Sequence, residues 1–350
     1  MPSIAKLLDH VGFACMVFAL SAGLTYFMIR TVRVLDLPNE RSSHTFPLPK
    51  SGGVGIVVSF SIACLVIYFV AEVARIPDPF FWGFLLSAVA LAAVSFVDDV
   101  TQKSFLAKIF TQMLCVIAML AVGVSIKVLS LPFLGETSLG AWGYPLTFLW
   151  LLGLTNAFNF MDGLDGLAGG VAVIAASFMC AIAWSQGSYF VYVTSYALVA
   201  SVAGFLVFNF PPARIFMGDV GSAFLGFTFA ALAIIGASFD YGRLSFYIVP
   251  LLLFHVIFDT FFTFVRRVVR GEKVHLAHRS HLYQLLNRMG YSHRQISLYH
   301  YAVAIAQGIG AFVLVSLPPS QRLLTFAPFL IFQFAYASWI FSRAKRLGLD

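Results

Sequence analysis

Charge is what this sequence most lacks. Lys, Arg, Asp and Glu together make up 11% of 350 residues, where a soluble domain carries about a quarter. That shortage excludes a disordered chain, a charged coiled coil and an ordinary water-soluble enzyme. Cysteine is scarce as well: Cys15, Cys64, Cys115 and Cys180 form no Cys-x-x-Cys pair and all fall inside apolar runs. A disulfide scaffold is therefore excluded, and the four thiols read as small packing residues. No solenoid-length repeat and no low-complexity linker divides the chain, so one domain over 1–350 is expected. What remains in quantity is apolar: 60% of residues are hydrophobic and 38 are Phe.

A helix needs about 20 residues to cross ~30 Å of hydrocarbon. Eleven apolar runs meet that length: 11–29, 53–73, 79–97, 107–125, 141–158, 167–185, 189–209, 221–238, 245–265, 300–317 and 323–342. They are continuous, whereas a membrane β-barrel needs short alternating strands. An all-α polytopic membrane protein with about 11 transmembrane helices is expected. With the N-terminus outside, 17 of the 22 basic residues lie on the inner side, which orients the chain N-out and C-in. The first run has Arg30 and Arg33 on its far side and no A-x-A site, so it is expected to be an uncleaved anchor. The +7 charge is thus mostly a topology signal and needs no nucleic-acid partner.

On that orientation the acids on the inner side gather in pairs and motifs. Asp98 and Asp99 end the third run, where adjacent carboxylates repel unless a cation lies between them; the plainer reading is two solvated charges at a membrane exit. Lys103 and Lys108 follow. Next comes Asn156-x-x-Asn159-x-x-Asp162-Gly163-x-Asp165-Gly166, polar at every third position. On an α-helix these four spread round half the surface, whereas in a broken segment they line one edge. Asn209 to Ser222 then contains Phe216-Met217-Gly218-Asp219-Val220-Gly221-Ser222. Glycine with an acid at a helix start offers N–H groups and a carboxylate for a metal, although Asp219 serves equally as an N-cap. The inner segment 266–299 carries His275, His278, Arg279, Ser280 and His281, which suit phosphate oxygens better than zinc because no fourth ligand accompanies them. His255 and Asp259, four apart on one face, are expected to pair with each other or with Arg266.

Taken together, Leu37 to His44, Pro49-Lys50-Ser51-Gly52-Gly53, Val97-Asp98-Asp99, Asn156 to Gly170, Asn209 to Ser222 and Asp259 to His281 make the chain similar to the polyprenyl-phosphate N-acetylhexosamine-1-phosphate transferases. That family includes the enzymes that initiate O-antigen and the phospho-N-acetylmuramoyl-pentapeptide transferases. The resemblance implies a bacterial cytoplasmic membrane enzyme, with a periplasmic N-terminus, a cytoplasmic C-terminus and its active site on the cytoplasmic face. It would transfer an N-acetylaminosugar-1-phosphate from a UDP-sugar to undecaprenyl phosphate and release UMP, with Mg²⁺ (or Mn²⁺) as cofactor; a homodimer is allowed. Asp219, with Asp99, would hold the metal. Asp98 and Asp99 match the acidic pair associated with acceptor activation. Asn159, Asp162 and Asp165 match the donor segment, Asp162 being linked with uracil, and Phe216 matches an aromatic that stacks on the base. Lys108 matches a lysine for the lipid phosphate. His278 and His281 fall in the histidine motif, counted as catalytic. Lys50, Asn156, Asn209 and Arg279 complete the expected substrate contacts.

The histidine motif departs from the family's common triple-histidine form, here His278-Arg279-Ser280-His281. That argues against the muramoyl-pentapeptide donor and resembles O-antigen-initiating members using 6-deoxy sugars such as N-acetylfucosamine or N-acetylquinovosamine, with N-acetylglucosamine the third candidate. Direct displacement by the lipid phosphate is expected, its rival being an aspartyl-phosphosugar intermediate. A secondary transporter is the alternative class, but it would hold its acids near the midplane between repeated halves. A CDP-alcohol phosphotransferase is set aside because Asp165-Gly166 continues as Leu-Ala-Gly.

Overall fold

The structure, a computed structural model, describes residues 4–31, 35–36, 47–101, 105–273 and 279–349. His275, His278, Lys103 and the segment from Leu37 to His44 lie outside the described residues. Among the described residues, eight helical stretches are long and apolar enough to span a bilayer. They are α1 (Ile4–Thr31), α2 (Gly53–Val70), α3 (Asp78–Thr101), α6 (Leu167–Gln186), α7 (Tyr189–Asn209), α8 (Asp219–Ser238), α12 (His293–Ser316), and a 3₁₀ turn (Pro319–Phe326) running into α13 (Ala327–Arg346).

The other three expected runs take different forms. The run 107–125 is the shorter helix α4 (Phe105–Ala121), and 141–158 is α5 (Gly143–Met161). Thr147, Thr155, Asn156 and Asn159 dilute the apolar character of α5, and both threonines return their hydroxyls to backbone carbonyls four residues back. The run 245–265 is interrupted: α9 (Ile248–Leu252) stops and α10 (Phe254–Val269) begins after Leu253. Gln307, fully buried on α12, enters this break. With its amide oxygen on His255 N (3.1 Å), its nitrogen reaches Leu252 O (3.2 Å) and His255 Nδ1 (2.7 Å). A side chain inserted into the helical ladder is a recognised cause of such a break.

The chain is not purely helical. Two small antiparallel ribbons stand at connections, β1 (Leu35–Asp36) with β2 (Leu48–Pro49) and β3 (Val128–Leu131) with β4 (Gly135–Ser138). At the centre is α8, in which every residue from Val220 to Gly236 is buried. A helix that is almost wholly apolar and buried on all sides belongs in the middle of a bundle, and α8 packs against α2, α3 and α5. Gly53 and Gly221 let α2 and α8 touch backbone to backbone, since a Cβ on either would overlap the other's Cα. The starts of α2 and α8 and the ends of α3 and α5 are thereby brought to one end of the bundle.

Candidate active site

The polar cluster is built on the first turn of α8. Gly218 precedes it at φ +73°, ψ 170°, and a Cβ there would lie 2.5 Å from Asp99 Oδ2, so both dihedral and clearance require glycine. Asp99, from the last turn of α3 and only 3% exposed, accepts from Asp219 N (3.4 Å) and Val220 N (3.3 Å). A carboxylate facing the free N–H groups of a helix start is electrostatically favoured. Lys50 Nζ lies 3.0 Å from Asp99 Oδ1, and Ser51 Oγ donates to Oδ2 at 3.5 Å. Lys50 is placed by backbone pairing between its neighbours and the approach to α8: Phe216 N to Pro49 O, Gly52 N to Phe216 O and Gly53 N to Met217 O, at 2.8–2.9 Å.

Beside this pair is a closed triangle. Lys108 Nζ, from α4, is 2.5 Å from Asp219 Oδ2 and 3.0 Å from Asn159 Oδ1. Asn159 Nδ2 completes it, donating to Asp219 Oδ1 at 2.9 Å and to Ser222 Oγ at 2.7 Å. Asp219 keeps 32% of its side chain exposed while Lys108 keeps 13%, so the open face of the triangle is the carboxylate. Asp98 stands one residue before Asp99, half-buried, with no hydrogen-bond partner among the described residues. Phe216 is also half-buried at the approach to α8.

Asp162 caps α5, half-buried at the edge of the cluster. Burial first, then the charges of Asp219 and Asp99, push its carboxyl up from 3.8 to about 8. The folded chain thus holds a proton there that the unfolded chain has released between those two pH values. This contribution to stability is complete below about pH 4 and is lost as pH rises through about 8. Thermal unfolding in detergent should show it: the midpoint falls from pH 6 to pH 9, and Asp162→Asn flattens that fall. An equal fall in the variant would assign the effect elsewhere.

The remaining expected contacts lie outside this cluster. Asn156 donates to Gln112 Oε1 (2.7 Å) and Leu152 O (2.8 Å), binding α5 to α4. Asp165 accepts from Ala213 N (3.1 Å) and pairs with His293 (3.1 Å). Asn209 accepts from Gly166 N (3.0 Å) and donates to Ile215 O (2.9 Å). The last two knit the turn after α5 to the segment leading into α8. The every-third spacing is split because α5 ends at Met161. Arg279 Nη2 donates to Asn287 Oδ1 at 3.3 Å, beside α11 (Leu282–Arg288). His281 is the N-cap of α11, its ring centroid 5.9 Å from that of Phe160, so His281 stands against the end of α5 that carries Asn159 and Asp162.

Ser51 and Ser222 stand in the sequence motifs without an assigned role, and Gln112 and Tyr283 were not indicated as contacts; Tyr283 Oη donates to Phe160 O at 2.7 Å. A lone hydroxyl or amide carries no motif of its own. Asp259 pairs with His281 at 3.4 Å, not with His255 or Arg266 as its helical spacing suggested.

Among the described residues no three His, Cys, Asp or Glu side chains could enclose a metal ion by themselves. Mg²⁺, however, takes one or two carboxylates and fills its shell with water and phosphate oxygens. Asp219, partly open, fits that role with hard oxygen donors. Asp99 is already committed to Lys50 and the start of α8.

A model of glycosyl transferase family 4 matches residues 81–237, the stretch that carries Asp98, Asp99, Lys108, Asn159, Asp162 and Asp219. A probable undecaprenyl-phosphate N-acetylglucosaminyl 1-phosphate transferase of Bacillus subtilis is 34% identical over 289 residues, covering 81% of this chain and 78% of the relative. A decaprenyl-phosphate N-acetylglucosaminephosphotransferase of Mycolicibacterium smegmatis is 29% identical over 335 residues, covering 86% and 82%. A phospho-N-acetylmuramoyl-pentapeptide-transferase of Lactiplantibacillus plantarum is 47% identical, but over 107 residues, 31% of this chain and 33% of the relative. The apolar helices, the acidic and lysine-lined end of the bundle and these likenesses agree: the chain is a membrane protein that belongs to glycosyl transferase family 4.

Proposed function

We propose that the protein transfers an N-acetylaminosugar-1-phosphate from a UDP-sugar to undecaprenyl phosphate, on the cytoplasmic face of a bacterial inner membrane. A phosphate oxygen of the lipid attacks the β-phosphorus, the bond to the UMP oxygen breaks, and UMP leaves. The product is a lipid-linked sugar diphosphate, the opening intermediate of an envelope polysaccharide such as O-antigen. The observation that carries this reading is the Lys108–Asp219–Asn159 triangle beside the Lys50–Asp99 pair. Phosphoryl transfer needs charge neutralisation and in-line positioning, and here cations and carboxylates are held ready at one end of a membrane bundle.

In this reading Lys50 and Lys108 exchange part of their carboxylate contact for phosphate oxygens as substrates enter. Asp98 orients the lipid phosphate; with a second pKa of about 6, that phosphate is largely ionised already and hardly needs a base. Asp162 and Phe216 receive the uridine, and Arg279 and His281 address the diphosphate and sugar. Mg²⁺ held at Asp219 would neutralise charge on the diphosphate.

The test is a purified-protein assay with undecaprenyl phosphate and a panel of UDP-N-acetylglucosamine, UDP-N-acetylfucosamine and UDP-N-acetylquinovosamine. The two long-range relatives are named for N-acetylglucosamine, which makes it the first donor to try. Lipid product should form with at least one donor, stop with EDTA and return with Mg²⁺ or Mn²⁺. No product from any donor, or undiminished turnover in EDTA, would contradict the reading.

A further inference from the structure

Behind His281 lies a small cavity that the proposed reaction does not use, lined in part by His255, Asp259, His281 and His300. It has room for about one water molecule. His255 and His300 are 2% and 4% exposed, and His255 Nε2 and both His300 ring nitrogens have no hydrogen-bond partner among the described residues. A buried polar atom left unsatisfied is costly, so a small polar guest belongs there. Water is of that size and polarity.

The tautomer of His255 follows from Gln307. With its amide nitrogen between Leu252 O and His255 Nδ1, Gln307 donates to Nδ1, so the His255 proton sits on Nε2. That N–H is one of the cavity's polar groups with no hydrogen-bond partner among the described residues. An ionised carboxylate only accepts. Asp259 Oδ1 accepts from Leu282 N at 2.9 Å and Thr263 Oγ1 at 3.1 Å, and lies 3.4 Å from His281 Nδ1. The Gln284 N–H also approaches the His281 side chain in the capping box of α11. A proton on Nδ1 would face the Asp259 carboxylate, whereas a bare Nδ1 would accept from that amide, so the two neighbours favour opposite tautomers.

We infer that Asp259 is a positioning residue for His281: it holds the ring by its Nδ1 edge and keeps the Nδ1 proton toward its own carboxylate. The inference rests on the proposed role of His281 in transfer, and it adds a group from α10 that touches no substrate. Carboxylates behind metal-bound histidines set tautomer and ring orientation in this way, and removing them typically costs about 10–100-fold.

The test is a double-mutant cycle on the full-length protein in detergent, with kcat and both KM values measured for Asp259→Asn, His281→Ala and the double variant. Asparagine keeps an oxygen for the Leu282 N–H, and thermal unfolding reports whether the fold survives. Asp259→Asn should lower kcat about 10- to 30-fold with both KM values within about threefold, and Asp259→Glu should recover part of the loss. His281→Ala should lower kcat about 100-fold, and the double variant should equal His281→Ala alone. If the two losses multiply in the double variant, Asp259 acts independently of His281 and the inference fails while the proposed function stands. If His281→Ala turns over at the wild-type rate, the role of His281 and the inference fall together. Should Asp259→Asn not fold, Asp259→Glu alone and in the His281→Ala background completes the same cycle.

Discussion

Asp219→Asn should stop turnover almost completely, by about a thousandfold in kcat. The side chain is isosteric and its oxygen can still accept from Asn159, but its NH₂ then faces the Lys108 ammonium donor to donor, so Lys108 must turn away. What it loses is the negative charge facing Lys108 at 2.5 Å and the hard anionic oxygen suited to a divalent cation. Charge stabilisation by a bound metal is worth several kcal/mol, and about 4 kcal/mol corresponds to three powers of ten. Lys108, with 13% of its side chain exposed, would also lose its anionic partner. The unfolding midpoint in detergent should nevertheless move only modestly. A variant that retains a tenth of the wild-type kcat would remove Asp219 from the centre of the account.

The neighbours Asp98 and Asp99 should separate sharply in a second experiment. Asp99 is 3% exposed and holds Lys50 and the first two N–H groups of α8, whereas Asp98 is half-buried with no hydrogen-bond partner among the described residues. Asp99→Ala removes a helix-start anion and leaves two amides short of an acceptor, a loss of about 2–3 kcal/mol in stability. Activity falls with it, because Asp219 begins the helix that Asp99 anchors. Asp98→Ala should leave the unfolding midpoint within a degree or two and lower kcat by about 100-fold, as expected for a group that acts on substrate alone. Equal effects of the two substitutions on stability would contradict this division.

This division also shows what a one-dimensional reading reaches. The acids at the ends of apolar runs, and Gly218-Asp219 at the head of α8, are visible because carboxylates are rare in such a chain. Which member of Asp98-Asp99 turns inward depends on about 100° of helix rotation and on Lys50, far away in sequence. The even spacing of Asn156, Asn159, Asp162 and Asp165 allowed either a spread round half a helix or one lined edge, and the end of α5 at Met161 sends Asn156 to Gln112 and Asp165 to His293. The run 245–265 has the composition of a single span; its interruption requires Gln307, a neighbour more than forty residues away. Local composition thus marks the elements, while side chains arriving from elsewhere decide where they stop and which acid does which task.

The architecture explains why the site can be rigid without a large polar core. A buried α8 fixes Asp219 axially, glycine contacts with α2 fix it laterally, and α5 brings Asn159 alongside. Preorganised charge of this kind contributes most where water is scarce, as at the end of a membrane bundle.

The most direct measurement follows both products of one reaction, using purified protein, undecaprenyl phosphate and a UDP-N-acetylaminosugar labelled in the β-phosphate. The account predicts one UMP released for each lipid formed, with the label carried into the lipid diphosphate. Release of UDP with an unlabelled lipid would show that the sugar–oxygen bond breaks instead of the diphosphate, and would contradict the account at its centre.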